Sequence, residues 1–242
     1  MNASSWRPWV ERFESRGYRA IAPSWPHDDR PVAELRASPD PALGDIGVEE
    51  IVAHYEAVIR ALDGPVVLVG HSFGGLFVQM LLERGMGTAG VAIDPAPPRG
   101  VLPSWNALRA GLPVLFGGGP IAQMSFAQFQ WGWTHTQPEA EQRAAYDNFV
   151  VPTPKKLYQQ GANAPFTKLL ALDPTRRTQP LLLAAGLEDR TVSASMVRAT
   201  HRLQQGSPAP VTLKEYPGRT HWIVQQPGWE EVADDTIAWL QA

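Results

Sequence analysis

The sequence contains no cysteine among its 242 residues. This absence excludes a disulfide framework, a thiolate metal site and a cysteine nucleophile. The six histidines are scattered, without the i, i+4 pairing of a helical metal site, and His27-Asp28-Asp29 is typical of a solvated loop. We therefore expect no metal and no cofactor.

The sequence also lacks any run of 18 apolar residues and any cluster of basic residues. The first absence predicts that no segment spans a membrane. The second, together with a net charge of −3, argues against a nucleic acid or a membrane surface as partner. The segment Met1–Pro8 has no basic region followed by an apolar one, so no signal peptide is indicated. We expect a cytoplasmic protein, and its oligomeric state stays open.

Strand-like apolar runs alternate with helical patterns along the chain. A helix capped by Ser4 or Ser5 is predicted to run to about Arg16, and a short strand follows at Tyr18–Pro23. Residues 24–46 read as a loop, and the apolar spacing predicts a helix over residues 47–62. This alternation predicts a mostly parallel sheet with helices on both faces. The later strands are predicted at residues 66–69, 89–94, 181–186 and 211–216, and the later helices at 76–84, 193–205 and 228–241.

The most informative stretch is Gly70-His71-Ser72-Phe73-Gly74-Gly75. A buried strand, Val66–Val69, precedes it and an apolar helix, Leu76–Arg84, follows. In this context Gly-x-Ser-x-Gly predicts a sharp strand-to-helix turn that projects the Ser72 hydroxyl alone. Gly70 and Gly74 are expected to let the two backbones approach closely, and the helix N-terminus brings a positive dipole end to the serine.

These six residues resemble the nucleophile elbow of the α/β-hydrolase superfamily, in particular its esterase and lipase-like members with a helical cap. The resemblance implies an α/β fold in which residues 1–94 and 179–242 form the core. It also implies that residues 95–178 form an inserted helical cap, or lid.

The resemblance implies that an acid and then a histidine follow Ser72 along the chain. Asp189 lies in the loop directly after the strand Leu181–Gly186 and is the expected acid, with Glu188 as its neighbour. Asp94 follows another strand end and is a competing candidate. The expected base is His221, in the loop between the last strand and the last helix.

The other histidines are weaker candidates for the base. His54 and His201 lie within predicted helices, where surface or packing roles are expected. His135 lies in the predicted cap and could line a pocket. His71 precedes the serine and is expected to support the elbow.

An oxyanion hole needs two backbone N–H groups, and the residue after the nucleophile, Phe73, is the expected first donor. In the family a loop after an early strand, usually carrying His-Gly, supplies the second. Here the predicted Ser4–Arg16 helix resembles the family's first helix, and the strands expected before it are absent. Either the chain is a shortened version of the family's fold, or residues 1–4 supply the second donor. In the second case Asn2 or Ala3 would lie near the oxyanion hole.

The predicted cap concentrates large apolar side chains. Some are expected to face the serine and bind substrate, with Phe129, Trp131, Trp133 and Trp222 as candidates, while most would form the cap's own small core. Gly117-Gly118-Gly119-Pro120 lacks the context of a phosphate loop and predicts a break between cap helices. The large apolar side chains of the predicted cap are Trp105, Leu112, Leu115, Phe116, Met124, Phe126, Phe129, Trp131 and Trp133.

Together these features predict a serine hydrolase that cleaves a small, apolar carboxylic ester through Ser72, Asp189 and His221. One alternative is a lyase or C–C hydrolase on the same fold. A hydroxynitrile lyase would need an active-site lysine, for which Lys155, Lys156 and Lys168 are the candidates. Another alternative is a ligand-sensing protein of very low turnover.

Overall fold

The computed structural model describes residues 1–115 and 118–242, with the backbone alone for 112–115. The predictions made above for Leu112, Leu115, Phe116 and Gly117 therefore lie outside the described side chains. Within the described residues, no helix combines the length and the apolar character that crossing a bilayer requires.

A parallel sheet forms the centre of the described chain, as the sequence predicts. Its strands are β1 Val67–His71, β2 Ala89–Ile93, β5 Leu181–Gly186 and β6 Val211–Tyr216. They lie in the order β1-β2-β5-β6, and Val69 of β1 stands opposite Val91 of β2. Every residue of β2 and β5 is buried, as expected for strands covered on both faces.

Helices cover both faces of this sheet, so the predicted α/β-hydrolase arrangement is confirmed. Alternate residues of β5 separate onto the two sides: Leu181 and Leu183 join one apolar cluster, and Leu182 joins the other. Helix α4 is buried along most of its length. The helices of the core are α1 Arg7–Glu14, α2 Val32–Ala37, α3 Val48–Arg60, α4 Phe73–Glu83, α9 Ala194–Gln204 and α10 Trp229–Leu240.

Short elements fill the segment between β2 and β5. A two-stranded antiparallel ribbon of β3 and β4 accompanies four helices there. Phe129 and Trp133 form a small cluster with Trp222, which lies outside this segment, in the loop after β6. The elements are α5 Trp105–Leu115, β3 Ile121–Ala122, α6 Phe126–Gly132, α7 Glu139–Phe149, β4 Thr153–Pro154 and α8 Lys155–Ala162.

Three predictions near the N-terminus are wrong. Asn2, not Ser4 or Ser5, caps the first turn, because its side chain accepts a hydrogen bond from the Ser4 N–H. That turn is a 3-10 helix, Ala3–Trp6, before α1 begins. The predicted loop at 24–46 contains α2 and a 3-10 turn. Tyr18–Pro23 is not a strand, because no neighbouring strand pairs with it.

Candidate active site

Ser72 occupies the sharp turn between β1 and α4. Its φ of 56° and ψ of −121° place a non-glycine residue in a strained region of backbone conformation. The turn is fixed from β2 and the loop after it: the Ser72 N–H donates to the Ile93 carbonyl at 3.0 Å, and the Ser72 carbonyl accepts from the Ala96 N–H at 2.9 Å. These two hydrogen bonds therefore stabilise the strained backbone conformation of Ser72.

The two motif glycines have different steric roles. A Cβ placed on Gly70 would lie 2.3 Å from the Gly74 carbonyl oxygen, a distance that no real contact reaches. A Cβ placed on Gly74 would meet nothing within 4 Å. The expectation that both positions need glycine for close approach is correct for Gly70 and wrong for Gly74.

Replacing Gly70 with alanine is expected to destabilise the protein by about 1–3 kcal/mol or more, because the strand and the helix must separate. Gly74→Ala is the matched control. It should leave stability unchanged or raise it by up to about 1 kcal/mol, because alanine favours a helix over glycine. Urea unfolding of both variants measures the difference. Equal destabilisation by the two substitutions would contradict this account of the turn.

His221 contacts Ser72 from the opposite end of the sequence. Its Nε2 lies 3.1 Å from the Ser72 Oγ, and its Nδ1 lies 2.5 Å from the Asp189 Oδ2. An ionised carboxylate can only accept, so Nδ1–H donates to Asp189 and Nε2 is free to accept the serine proton. The structure thus brings together the three side chains selected from the sequence.

The loops that carry Asp189 and His221 are fixed by backbone hydrogen bonds. Asp189 Oδ1 accepts from the N–H groups of Thr191 at 2.6 Å and Val192 at 2.8 Å. The Thr220 N–H donates to the Gln226 side chain at 2.9 Å, which fixes the chain beside His221. The orientation of the acid and base is thus set before any substrate binds.

Burial controls the charge of the pair. His221 is fully buried and Asp189 is 5% exposed. Burial lowers the pKa of His221 to about 3. Burial also raises the pKa of Asp189, whereas the hydrogen bonds from the Val192 and Thr191 N–H groups lower it and stabilise the carboxylate. At neutral pH the imidazole is therefore uncharged, which is the form that can accept a proton from Ser72.

Asp94 lies beside Asp189. It is fully buried with a φ of 39°, and its Oδ1 accepts from the Gly186 N–H at 2.8 Å. Burial first, and the Asp189 charge second, raise the pKa of Asp94 well above its ordinary value. The sequence predicts Asp94 and Asp189 as alternatives for the acid. Because β2 and β5 are neighbouring parallel strands, both aspartates lie at the carboxyl ends of these strands.

The ring of His71 packs 4.5 Å from the ring of His221 by their centroids, and Trp133 lies edge-on at 4.4 Å. These two rings confine the His221 imidazole. Ligand atoms of His71, Asp94 and His221 all lie within 4.8 Å of one another. Both nitrogens of His221 already contact Asp189 and Ser72, so a metal here would have to displace the hydrogen bonds just described.

The Phe73 N–H is the first of helix α4 and has no hydrogen-bond partner within the part of the chain that the structure describes. A free donor directly after the serine is what an oxyanion requires. Met1, Asn2 and Ala3 line the cavity that reaches Ser72.

A cavity of about 750 Å³ opens onto Ser72. Phe129 and Trp133 line it, and their contact with a substrate stays a prediction. Trp131 and Trp222 are not among its lining residues, so the structure does not support that role for them. Trp131 instead packs against the guanidinium groups of Arg109 and Arg190, and Trp222 is buried against neighbouring aromatic rings.

His54 and Lys156, two of the remaining candidates, make contacts with residues other than Ser72. The His54 Nε2 contacts the Ser24 carbonyl at 3.0 Å, and the Lys156 Nζ contacts Glu50 at 2.8 Å. His135, His201 and the three candidate lysines do not line the cavity in the described residues. Among the described residues, His71 is the one histidine that lines the cavity, and none of the three candidate lysines does.

Residues 1–235 match the model of a family described as the alpha/beta hydrolase family. Three solved structures illustrate the similarity in fold. A pyrethroid hydrolase from Sphingobium faniae JZ-2 aligns with a TM-score of 0.69 and 17% identity, covering 100% of this chain and 93% of that one.

A Paleococcus ferrophilus monoacylglycerol lipase aligns with a TM-score of 0.67 and 22% identity, covering 98% and 89% of the two chains. An Arabidopsis methylesterase aligns with a TM-score of 0.68 and 12% identity, covering 99% and 94%. At these identities the structures support the shared fold.

Proposed function

Since the chain belongs to the alpha/beta hydrolase family, we propose that it is a serine hydrolase that cleaves carboxylic esters. The observation that carries the proposal is the continuous contact from the Asp189 carboxylate through the His221 imidazole to the Ser72 hydroxyl. A serine hydroxyl is a weak nucleophile until a base removes its proton, and this contact supplies the base and its orienting acid.

In the proposed reaction, His221 Nε2 takes the proton of Ser72 as Oγ attacks the ester carbonyl carbon. The carbonyl oxygen becomes an oxyanion that accepts a hydrogen bond from the Phe73 N–H. Collapse of this intermediate breaks the bond to the alcohol, which takes the proton from His221 and leaves an acyl group on Ser72. His221 then activates water, and hydrolysis releases the carboxylic acid and restores the serine.

The lining of the cavity supports the proposed class of substrate. Phe129, Trp133 and Met196 line it with apolar surface, which favours an ester with an apolar acyl or alcohol group. Solved structures of similar fold include proteins named a monoacylglycerol lipase and a methylesterase, which also favours an ester as substrate.

Hydrolysis of p-nitrophenyl esters from acetate to decanoate tests this proposal. We expect kcat/KM to rise by up to about 200-fold between acetate and hexanoate, because each of the four added methylenes contributes about 0.8 kcal/mol when fully buried. A flat dependence on chain length would contradict the apolar pocket. Release of a single equivalent of p-nitrophenol without further turnover would favour the ligand-sensing alternative.

A further inference from the structure

Asp94 and Asp189 are two buried carboxyl groups that meet at the turn after β5. The Asp189 N–H donates to the Gly186 carbonyl at 3.3 Å, which closes that turn. Asp94 contacts the same turn, because its Oδ1 accepts from the Gly186 N–H at 2.8 Å. A Cβ placed on Gly186 would lie 3.3 Å from the Asp94 Oδ2. Both carboxyl groups thus occupy one small space that is closed to solvent.

No lysine or arginine of the described chain forms an ion pair with Asp94 or Asp189. The ion-pair partner of Asp189 is His221. Burial lowers the pKa of His221 to about 3, and burial followed by the charge of His221 lowers the pKa of His71 well below its ordinary value. Both rings are therefore uncharged at neutral pH. Two buried carboxyl groups in contact cannot both ionise, so the pair holds one proton.

The hydrogen bonds indicate which of the two carboxyl groups keeps the proton. Asp189 accepts two from the backbone N–H groups described above and one from His221 Nδ1, at 2.5 Å. Among the described residues Asp94 accepts one, from Gly186, and its buried Oδ2 has no partner when both groups are ionised. Hydrogen bonds donated to a carboxylate favour its ionised form. The donors thus favour Asp189 as the carboxylate and Asp94 as the protonated acid.

We propose that Asp94 is a positioning residue: its Oδ2 carries a proton at neutral pH and donates a hydrogen bond to the Asp189 carboxylate. This hydrogen bond gives the buried Oδ2 the partner that it otherwise lacks. Burial and then the Asp189 charge raise the pKa of Asp94, and the hydrogen bond raises it further. Burial raises the pKa of Asp189, and the same hydrogen bond is one of those that lower it. The pair therefore carries one negative charge, which is placed on Asp189.

This role of Asp94 rests on the proposed function, because Asp94 would act by orienting the contact between Asp189 and His221. Asp189 must stay ionised to stabilise the imidazolium that forms when His221 takes the serine proton. A neutral donor beside Asp189 stabilises that charge and restrains the orientation of the carboxylate. Asp94 is not among the residues that line the cavity, so it acts through Asp189 and not on the substrate.

Infrared spectroscopy of the full 242-residue protein in deuterium oxide detects the proposed proton. The C=O stretch of a protonated carboxylic acid is separate from the bands of carboxylates and backbone amides. At neutral pH we expect such a band in the wild type, its loss in Asp94→Asn and its persistence in Asp189→Asn. Asp28→Asn is the control, because Asp28 is another buried carboxyl group, whose pKa burial raises to about 7. The Asp94 band should remain in that variant.

The kinetics of two variants test the positioning role. Asp94→Asn keeps a carbonyl for the Gly186 N–H and gains an N–H₂ group that can donate to Asp189. Asp94→Leu introduces a side chain of similar size that has no donor. We expect kcat for p-nitrophenyl butyrate to be at least about tenfold lower in Asp94→Leu than in Asp94→Asn, with the same KM.

Equal kcat values in these two variants would overturn the positioning role. Persistence of the infrared band in Asp94→Asn, or its loss in Asp189→Asn, would overturn the assignment of the proton to Asp94. Failure of the proposed function is a separate result, because the infrared bands do not depend on ester hydrolysis. If Asp94→Leu does not fold, the infrared spectra of the two asparagine variants still decide whether Asp94 is the donor.

Discussion

Replacing Ser72 with alanine is expected to lower kcat for p-nitrophenyl butyrate by at least about 10⁴-fold. The hydroxyl that contacts His221 Nε2 at 3.1 Å would be gone, so no acyl-enzyme could form. The fold should persist, because the hydrogen bonds that hold this turn come from the Ser72 backbone and not from its side chain. Initial rates and the thermal midpoint, measured on the same preparation, check both parts.

Ser195→Ala is the matched control for this substitution. Ser195 is exposed, and within the described residues its hydroxyl forms a hydrogen bond with that of Ser193 alone, so its loss should leave kcat unchanged. Retention of more than a tenth of the wild-type kcat by the Ser72→Ala variant would refute the nucleophile assignment.

Replacing Asp189 with asparagine is expected to lower kcat by about 10⁴-fold. The amide cannot stabilise the imidazolium that forms when His221 takes the serine proton, and its N–H₂ group would favour the wrong tautomer of the imidazole. The KM should change little, because Asp189 is not among the residues that line the cavity. Steady-state kinetics on one ester separate the two parameters.

Asp94→Asn is the comparison that separates the two neighbouring aspartates. An asparagine carbonyl can still accept from the Gly186 N–H, and Asp94 makes no hydrogen bond to a His221 ring nitrogen. We expect less than a tenfold loss of kcat. A larger loss for Asp94→Asn than for Asp189→Asn would show that Asp94 is the acid.

The sheet and its covering helices could be predicted because their signals are local. The apolar run at Leu181–Gly186 and the helical spacing over residues 47–62 each determine one element almost to its ends. The turn at Ser72 is equally local, since the steric need for glycine at position 70 arises within five residues. The order of serine, acid and histidine that the family resemblance implies then predicts Asp189 and His221, in the loops that the structure brings to Ser72.

The wrong predictions from the sequence have a different physical origin. Tyr18–Pro23 has the alternation of a strand, but a strand requires a partner, and sequence alone does not show whether one is adjacent. The concentration of aromatic residues in the predicted cap favours Trp131 as a substrate contact, but its ring packs against two arginine side chains and does not line the cavity. The proximity of Asp94 to Asp189 depends on which strands are neighbours, and no local pattern encodes that order.

Covalent labelling tests the central claim most directly. The protein is incubated with a fluorophosphonate, digested, and analysed by mass spectrometry to locate the adduct. One adduct per chain is predicted, on the peptide that contains Ser72. It should be absent from Ser72→Ala and form at least about 100-fold more slowly in His221→Ala, which has lost its general base. Labelling at another residue, or none in the folded protein, would contradict the account.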